Sequence, residues 1–597
     1  MTNSVRSAAH LQAQLPSRVE GVLGNTSLDR FDAIVIGAGA GGSAAARVLA
    51  VVGGWRVLVL EHGPNYFLGL DDPAADRPRP LFSNDELKLA IRGFVGQDPL
   101  LEPRTFRASE NDSATFHPDV NTLPKTVGGA AIHADMKYPR FNRVDFRLAS
   151  ELEAKGVRYE AAAFADWPVS YDELEPYYAE AERLSGVQGA AGSDPFASPR
   201  TSDYPMPPGL PMYVAEVLSQ GARTLGYHPF PYPGAQNSRF YRGRPPCNDC
   251  GFCSGYGCPN NSKGSPAVTT LREALLTGRC QLRYNAHVTR LVHDGRGRVT
   301  AVEYVDNHGE LQRAGADVVL LGASAIESAR LCLLSNLGNE SGLVGRFLMF
   351  HTQNVSVGLY RQRFHGERGR SVTQGISDLR GVRPGGDEID PDMPLGGIVE
   401  FGTNSGAIAG AQAALQAYAL ARLQNIPGLT LWKLLRANVF QAHIAVALQQ
   451  AEDAPYFHNY VDLDPQLKDV FGQPVPRITY RIGALERAAR QFYGPRLVEL
   501  HRASGADYGF LAPLDEPPQS RHVLGTLRMG QDPQSSVCDP WQKFHTVDNL
   551  FAVDGSVFVT SSGYNPTLTI IALALRAAAR LVSPAAPERV LGRDTTL

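Results

Sequence analysis

Phe31-Asp-Ala-Ile-Val-Ile-Gly37-Ala-Gly39-Ala-Gly-Gly42 decides how this chain folds. Its first six residues are a short apolar run of the kind that forms a strand buried on both faces. The glycines that follow keep the spacing G-x-G-x-x-G. Ser43 to Val51 then reads as a helix, and Arg56-Val-Leu-Val-Leu60 as a second apolar strand that ends in Glu61. Strand, glycine turn, helix, strand and terminal acid in this order form the dinucleotide-binding βαβ unit. Gly37 permits the tight turn. Gly39 lets the backbone approach a pyrophosphate, and Gly42 lets helix and strand pack closely. The helix N-terminus then faces the phosphates, and Glu61 stands where an acid would bind a ribose hydroxyl. The motif does not by itself choose between FAD and NAD. Its position at the start of the chain, with a second half-motif near the end, favours FAD.

That second half lies in His522-Val-Leu-Gly525-Thr526-Leu-Arg528-Met529-Gly530 and Thr546-Val-Asp548-Asn549-Leu-Phe-Ala-Val-Asp554-Gly555-Ser556. Gly563-Tyr564-Asn565-Pro566-Thr567 and an alanine- and leucine-rich helix over 568–581 follow. Asp554, Gly555, Pro566 and Thr567 are the expected cofactor contacts of this half.

The other decisive stretch is Cys247-Asn-Asp-Cys250-Gly-Phe-Cys253-Ser-Gly-Tyr-Gly-Cys258-Pro259, which holds four of the seven cysteines. Its spacing, C-x2-C-x2-C-x4-C-P, is close to a bacterial iron–sulfur run. Zinc typically uses two separated cysteine pairs, so a cluster is the better fit. A structural zinc, an empty loop or a disulfide stays open. Cys280, Cys332 and Cys538 read as ordinary buried residues.

Composition narrows the classes of function. The 597 residues are 43% hydrophobic and 20% charged, as in an ordinary globular protein. A net charge of −3 gives no reason to propose nucleic acid as a partner. Residues 1–30 hold no apolar signal core and no twin arginine. No run of about 18 apolar residues exists that could span a membrane. A cytoplasmic protein is the default expectation, with export on a signal-bearing partner as the alternative.

The ordered blocks resemble the glucose–methanol–choline (GMC) oxidoreductases over residues 31–581. Val127-Gly128-Gly129-Ala-Ala-Ile-His133 is similar to the family's first glycine signature. Gly322-Ala323-Ser-Ala-Ile-Glu-Ser328-Ala-Arg330-Leu331 is similar to its second, and Gly345-Arg346-Phe-Leu-Met-Phe-His351 to the segment after it. The cysteine block with Asn260-Asn261-Ser262-Lys263 resembles the flavoprotein subunits of gluconate 2-dehydrogenase and fructose or sorbitol dehydrogenases. So do Glu452-Asp453-x-Pro455 and Lys468-Asp469-x-Phe-Gly472-x-Pro474.

The resemblance implies an α/β fold with a Rossmann-type FAD domain drawn from residues 31–64, 126–138, 265–347 and 531–581. A discontinuous α+β substrate domain would take 66–124, 140–263 and 349–521, including the cysteine loop within 239–266. It implies His522 as the base and Asn565 as the second active-site residue. Gly128, Gly129 and Val288 would be cofactor contacts. His133 stands where pyranose oxidases carry a covalent flavin bond, although Ala134 replaces their usual tryptophan; covalent ligand and flavin-packing histidine both stay open. For the cysteine loop the resemblance implies a 3Fe-4S cluster on three of the four thiols. It also implies a cytochrome partner and a small chaperone-like subunit, with a cytochrome or a quinone as the expected electron acceptor. The expected activity is FAD-dependent oxidation of a sugar or polyol hydroxyl. An oxidase using oxygen and a non-catalytic flavin subunit are the alternatives. A helix is expected over 407–449, rich in alanine and leucine.

Overall fold

Strand Asp29–Ile36 pairs in parallel with Val57–Leu60 on one side and with Leu311–Leu321 on the other. A strand flanked on both edges and covered on both faces has no solvent side, and its last four residues are all buried. The computed structural model describes residues 29–82, 102–117, 123–366, 368–402, 443–514 and 520–594. Among these, the largest sheet has seven strands. Cys280–Arg283 extends the parallel part beyond Val57–Leu60. On the opposite side, His287–His293, Val299–Val305 and Leu311–Leu321 form an antiparallel meander. Leu550–Ala552 returns from far along the chain and pairs in parallel with Val319–Leu321.

The turn after the first strand leads into helix Ala40–Arg47, which continues through one wider π-type turn, Val48–Val52. Close approach explains the glycines. Gly37 has φ +99°, and a Cβ there would lie 2.3 Å from the Gly322 carbonyl oxygen. At Gly42 a Cβ would lie 2.0 Å from the Gly37 carbonyl oxygen. Neither position tolerates a side chain without moving backbone. Helix Thr567–Val582 packs on helix Ala40–Arg47 and on Tyr171–Ser185, closing this layer.

A second sheet has six strands in the order Tyr508–Leu511, Thr352–Leu359, Ile444–Ala451, Val399–Gly402, Val372–Ile376 and Phe230–Pro231. All its pairings are antiparallel. Helices Tyr213–Thr224 and Ala484–Ala503 pack against it. Period-two alternation puts Gln353, Glu400, Leu448 and Gln450 on one face. Gln353 pairs in register with Gln450, and Glu400 with Leu448.

The helix expected over 407–449 is corrected where it can be seen. Residues 403–442 lie outside the described residues. Ile444–Ala451 is a strand, not the end of a helix. The alanines there favour a helix locally, but pairing on both edges and burial override that preference. No helix among the described residues is long and apolar enough to cross a membrane.

Candidate active site

The C-terminal ends of the parallel strands open into a cavity of about 670 Å³, the position where open α/β sheets bind ligands. Gly37, Gly39, Glu61, Gly129, His133, Val288, Asp554, Gly555, Pro566 and Thr567 all line it, together with His522 and Asn565. Gly42 and Gly128 stand behind the wall. Gly128 has φ +95°, and a Cβ there would lie 2.6 Å from the Ile132 side chain.

These residues fit FAD. Helix Ala40–Arg47 begins at Gly39 with no side-chain cap and no acid in its first turn, so its leading N–H groups are available to a pyrophosphate. Gly129, at φ +64°, brings its backbone against Gly39, where a Cβ would lie 2.7 Å from the Gly39 Cα. Glu61 accepts from the amides of Ala38 (2.8 Å) and Gly63 (2.9 Å). Burial pushes its carboxyl up to about 7, although those amides and Lys125 pull it down. Asp554 accepts from Ser328 Oγ at 2.6 Å and from the Ser556 amide at 2.9 Å. Both ring nitrogens of His133 are buried and lack a hydrogen-bond partner. A buried polar group in that state calls for a ligand.

His522 and His351 meet at the far wall. Their Nδ1 atoms are 2.7 Å apart, with the rings at 86°. The opposite nitrogen of His351, Nε2, lies 3.1 Å from the carbonyl oxygens of both Ser561 and Ser562. Carbonyls only accept, so His351 Nε2 carries a hydrogen. Burial holds His351 neutral, its pKa lowered to about 4. Its Nδ1 is therefore a lone pair, and His522 Nδ1 must donate to it. That leaves His522 Nε2 as a lone pair on a ring that lines the cavity. Burial, with smaller contributions from His351 and Lys137, holds the pKa of His522 well below its ordinary value.

The Ser561–Ser562 segment is itself fixed. The Ser562 amide donates to Glu452 Oε1 and the Asp453 amide to Ser561 Oγ, both at 2.9 Å. Arg380 pairs with Glu452 at 2.9 Å and with Asp145. The Glu452-Asp453 motif thus supports the carbonyls that orient His351.

Asn565 is held from two sides. Its Nδ2 donates to Glu400 Oε1 at 3.0 Å, and its Oδ1 accepts from Tyr232 Oη at 2.5 Å. The same Glu400 accepts from Gln450 at 3.2 Å and from Lys137 Nζ at 2.6 Å. Lys137 also pairs with Asp135 Oδ2 at 3.0 Å. Sequence reasoning did not assign His351, Glu400, Lys137, Asp135 or Tyr232. His351 stood in a quoted motif. Glu400 reaches the site only through sheet pairing, which leaves no local signal.

The cysteine stretch is a loop, as expected. Lys263 staples it, donating to the carbonyls of Ala134 (2.9 Å), Cys253 (2.5 Å) and Tyr256 (2.9 Å). The Gly255 amide donates to the His133 carbonyl at 2.8 Å, and Ser254 and Gly255 line the cavity. Cys247, Cys250, Cys253 and Cys258 are free thiols. Cys258 Sγ donates to Asn260 Oδ1 at 3.0 Å, and Cys247 Sγ accepts from the Asp249 amide at 3.4 Å. Among the described residues no three His, Cys, Asp or Glu side chains are grouped so as to hold a metal ion. The thiols in this arrangement do not fit the expected cluster. Cys280, Cys332 and Cys538 are buried and free, as expected.

Two family models, each described as GMC oxidoreductase, match residues 167–353 and 455–574. The chain is 30% identical to the gluconate 2-dehydrogenase flavoprotein of Pantoea cypripedii, covering 93% of this chain and 94% of that one. It is 31% identical to 2-methyl-1,2-propanediol dehydrogenase of Mycolicibacterium austroafricanum, over 92% and 95%. Among solved structures, a formate oxidase of Aspergillus oryzae superposes with a TM-score of 0.59 at 15% identity, covering 94% of this chain and 100% of that one; at that identity the likeness shows the fold alone. The chain belongs to the GMC oxidoreductase family, and it is a flavin-dependent oxidoreductase of that class.

Proposed function

We propose that this protein is an FAD-dependent dehydrogenase of a sugar or polyol hydroxyl, with His522 as the base and Asn565 as the residue that holds the substrate oxygen. The observation that carries this reading is the ordered proton on the histidine pair, which leaves His522 Nε2 free to accept. Hydride acceptance is the chemistry that FAD supplies when bound. His522 takes the hydroxyl proton at Nε2 while Nδ1 stays anchored to His351. A positioned base of this kind contributes roughly 100- to 10,000-fold. The fixed amide of Asn565 orients the oxygen without competing for its proton. The sugar or polyol class is supported by relatives named for gluconate and for a diol.

Anaerobic mixing of the flavoprotein with sugars, polyols and simple alcohols tests the reading through bleaching of the flavin. If no alcohol bleaches it, a non-catalytic flavin subunit replaces the enzyme. Peroxide produced at the turnover rate would make it an oxidase; turnover only with an artificial acceptor supports the dehydrogenase.

A 3Fe-4S cluster on three of the four thiols Cys247, Cys250, Cys253 and Cys258, with a cytochrome as partner, remains part of the proposal on the strength of the spacing and of the loop's attachment beside His133. The thiols would have to converge for it to form. Iron analysis and a paramagnetic signal from anaerobically purified protein test it, and iron-free protein at full activity rejects it.

A further inference from the structure

Asp135 and Lys137 form a polar pair that the chemistry above leaves unused. Asp135 is 9% exposed, and its Oδ1 is buried without any hydrogen-bond partner. The carboxylate pairs with Lys137 through its other oxygen and is also hydrogen-bonded by the Ser254 side chain. The Lys137 ammonium has three hydrogens. Two are aimed at Asp135 Oδ2 and Glu400 Oε2. Both residues line the same cavity as His522 and Asn565. They are also chained to the reacting end, because Glu400 binds Lys137 with one oxygen and Asn565 with the other.

A buried carboxylate oxygen without a donor is costly. A group that satisfies it here must donate to Asp135 Oδ1 and can accept the third hydrogen of Lys137. A hydroxyl does both. A carboxylate can accept from Lys137 but cannot donate to Asp135 Oδ1, so it satisfies only half of the pair. An alkyl chain would leave Asp135 Oδ1 and the third hydrogen of Lys137 without a partner.

We propose that Asp135 Oδ1 and Lys137 Nζ form a subsite for a second, non-reacting hydroxyl of the substrate, so that the protein selects polyols over monohydric alcohols. This rests on the dehydrogenase reading above. Charged groups that hydrogen-bond a substrate hydroxyl reject an analogue lacking it, because they are left buried and unpaired. A single such contact corresponds to roughly 10- to 100-fold in kcat/KM.

The test is the rate of anaerobic flavin bleaching of the holoprotein by glycerol, 1,2-propanediol and 1-propanol, a series that removes one hydroxyl at a time from one carbon skeleton. The parent is expected to favour glycerol over 1-propanol by at least roughly 10-fold in the second-order rate. In Asp135→Ala the glycerol-to-propanol ratio should collapse by a similar factor. Asp135→Asn, which keeps the shape, should reduce the ratio too and serves if the alanine variant does not fold. An unchanged ratio in both variants, or a parent that does not discriminate, overturns the subsite. So does a variant that loses flavin with its ratio intact, which would give Asp135 to the cofactor. If none of the alcohols bleaches the flavin, the dehydrogenase reading itself has failed, an outcome separate from loss of selectivity.

Discussion

His351 and His522 share one proton between Nδ1 atoms 2.7 Å apart, and the two carbonyls behind His351 decide which ring owns it. Because those carbonyls claim the hydrogen on His351 Nε2, the shared proton belongs to His522. The tautomer of His522 is thus set by backbone atoms two hydrogen bonds away.

Removal of the base is the first prediction. His522→Ala should slow flavin reduction roughly 100- to 10,000-fold, with flavin content nearly unchanged, since His522 is not part of the phosphate cradle. Stopped-flow reduction under saturating substrate measures this. A rate within a few-fold of the parent would remove His522 from the mechanism.

His351→Phe tests the positioning role separately. The phenyl ring fills the space but offers no lone pair, so His522 is free to place its proton on Nε2, the wrong nitrogen. The expected result is a drop in kcat of about 10-fold or more with KM little changed, because a transition-state interaction is lost rather than uniform binding. A shift in KM alone would point to a packing role.

The pH dependence follows from burial. His522 is held well below its ordinary value of 6.5, and His351 is lowered to about 4. A base works while neutral, above its folded pKa. Activity should therefore persist as the pH falls through 6.5, and the acid limb should lie well below it. In His351→Phe one smaller influence holding His522 down is removed, so the acid limb should move upward. An acid limb centred near 6.5 in the parent would contradict the buried pair.

Much of this site was legible in the sequence, and the reason is locality. The glycine turn from Gly37 to Gly42 and the cavity-lining residues around Asp554 and Pro566 are set by short-range sterics that a motif records. Glu400 and Gln450 are different. They reach the cavity because strands from distant parts of the chain pair in one register, and a one-residue slip would turn both away. The same non-local pairing turned Ile444–Ala451 into a strand against its alanine content. Lys137 and Asp135 sit beside a glycine signature, yet their role depends on Glu400.

Lys263 gives a prediction about the cysteine loop. Its buried ammonium satisfies three carbonyls at once. Lys263→Met keeps much of the stem and leaves those carbonyls unpaired, at about 1–3 kcal/mol for a buried group. Amides in 247–258 should exchange with deuterium faster in the variant, while the strand at 29–36 keeps its protection. Equal exchange in the loop would show that it holds without this staple.

The last prediction concerns His133. Both of its ring nitrogens are buried without a partner, in the cavity wall beside the glycines that fit the flavin. Burial and Lys263 lower its pKa to about 3, so at neutral pH one nitrogen is a free nucleophilic lone pair. That state suits a covalent bond to the flavin as well as a hydrogen bond to it, and the two separate on denaturation. If His133 is the attachment point, acid-precipitated protein stays yellow, and His133→Ala releases its flavin into the supernatant. If His133 only packs against the flavin, the parent's pellet is colourless. In that case His133→Ala should weaken flavin retention during dialysis without changing the covalent content, which is zero in both proteins. Mass spectrometry of a peptic digest decides the same question directly, since a covalent adduct would appear on the peptide containing His133 and on no other.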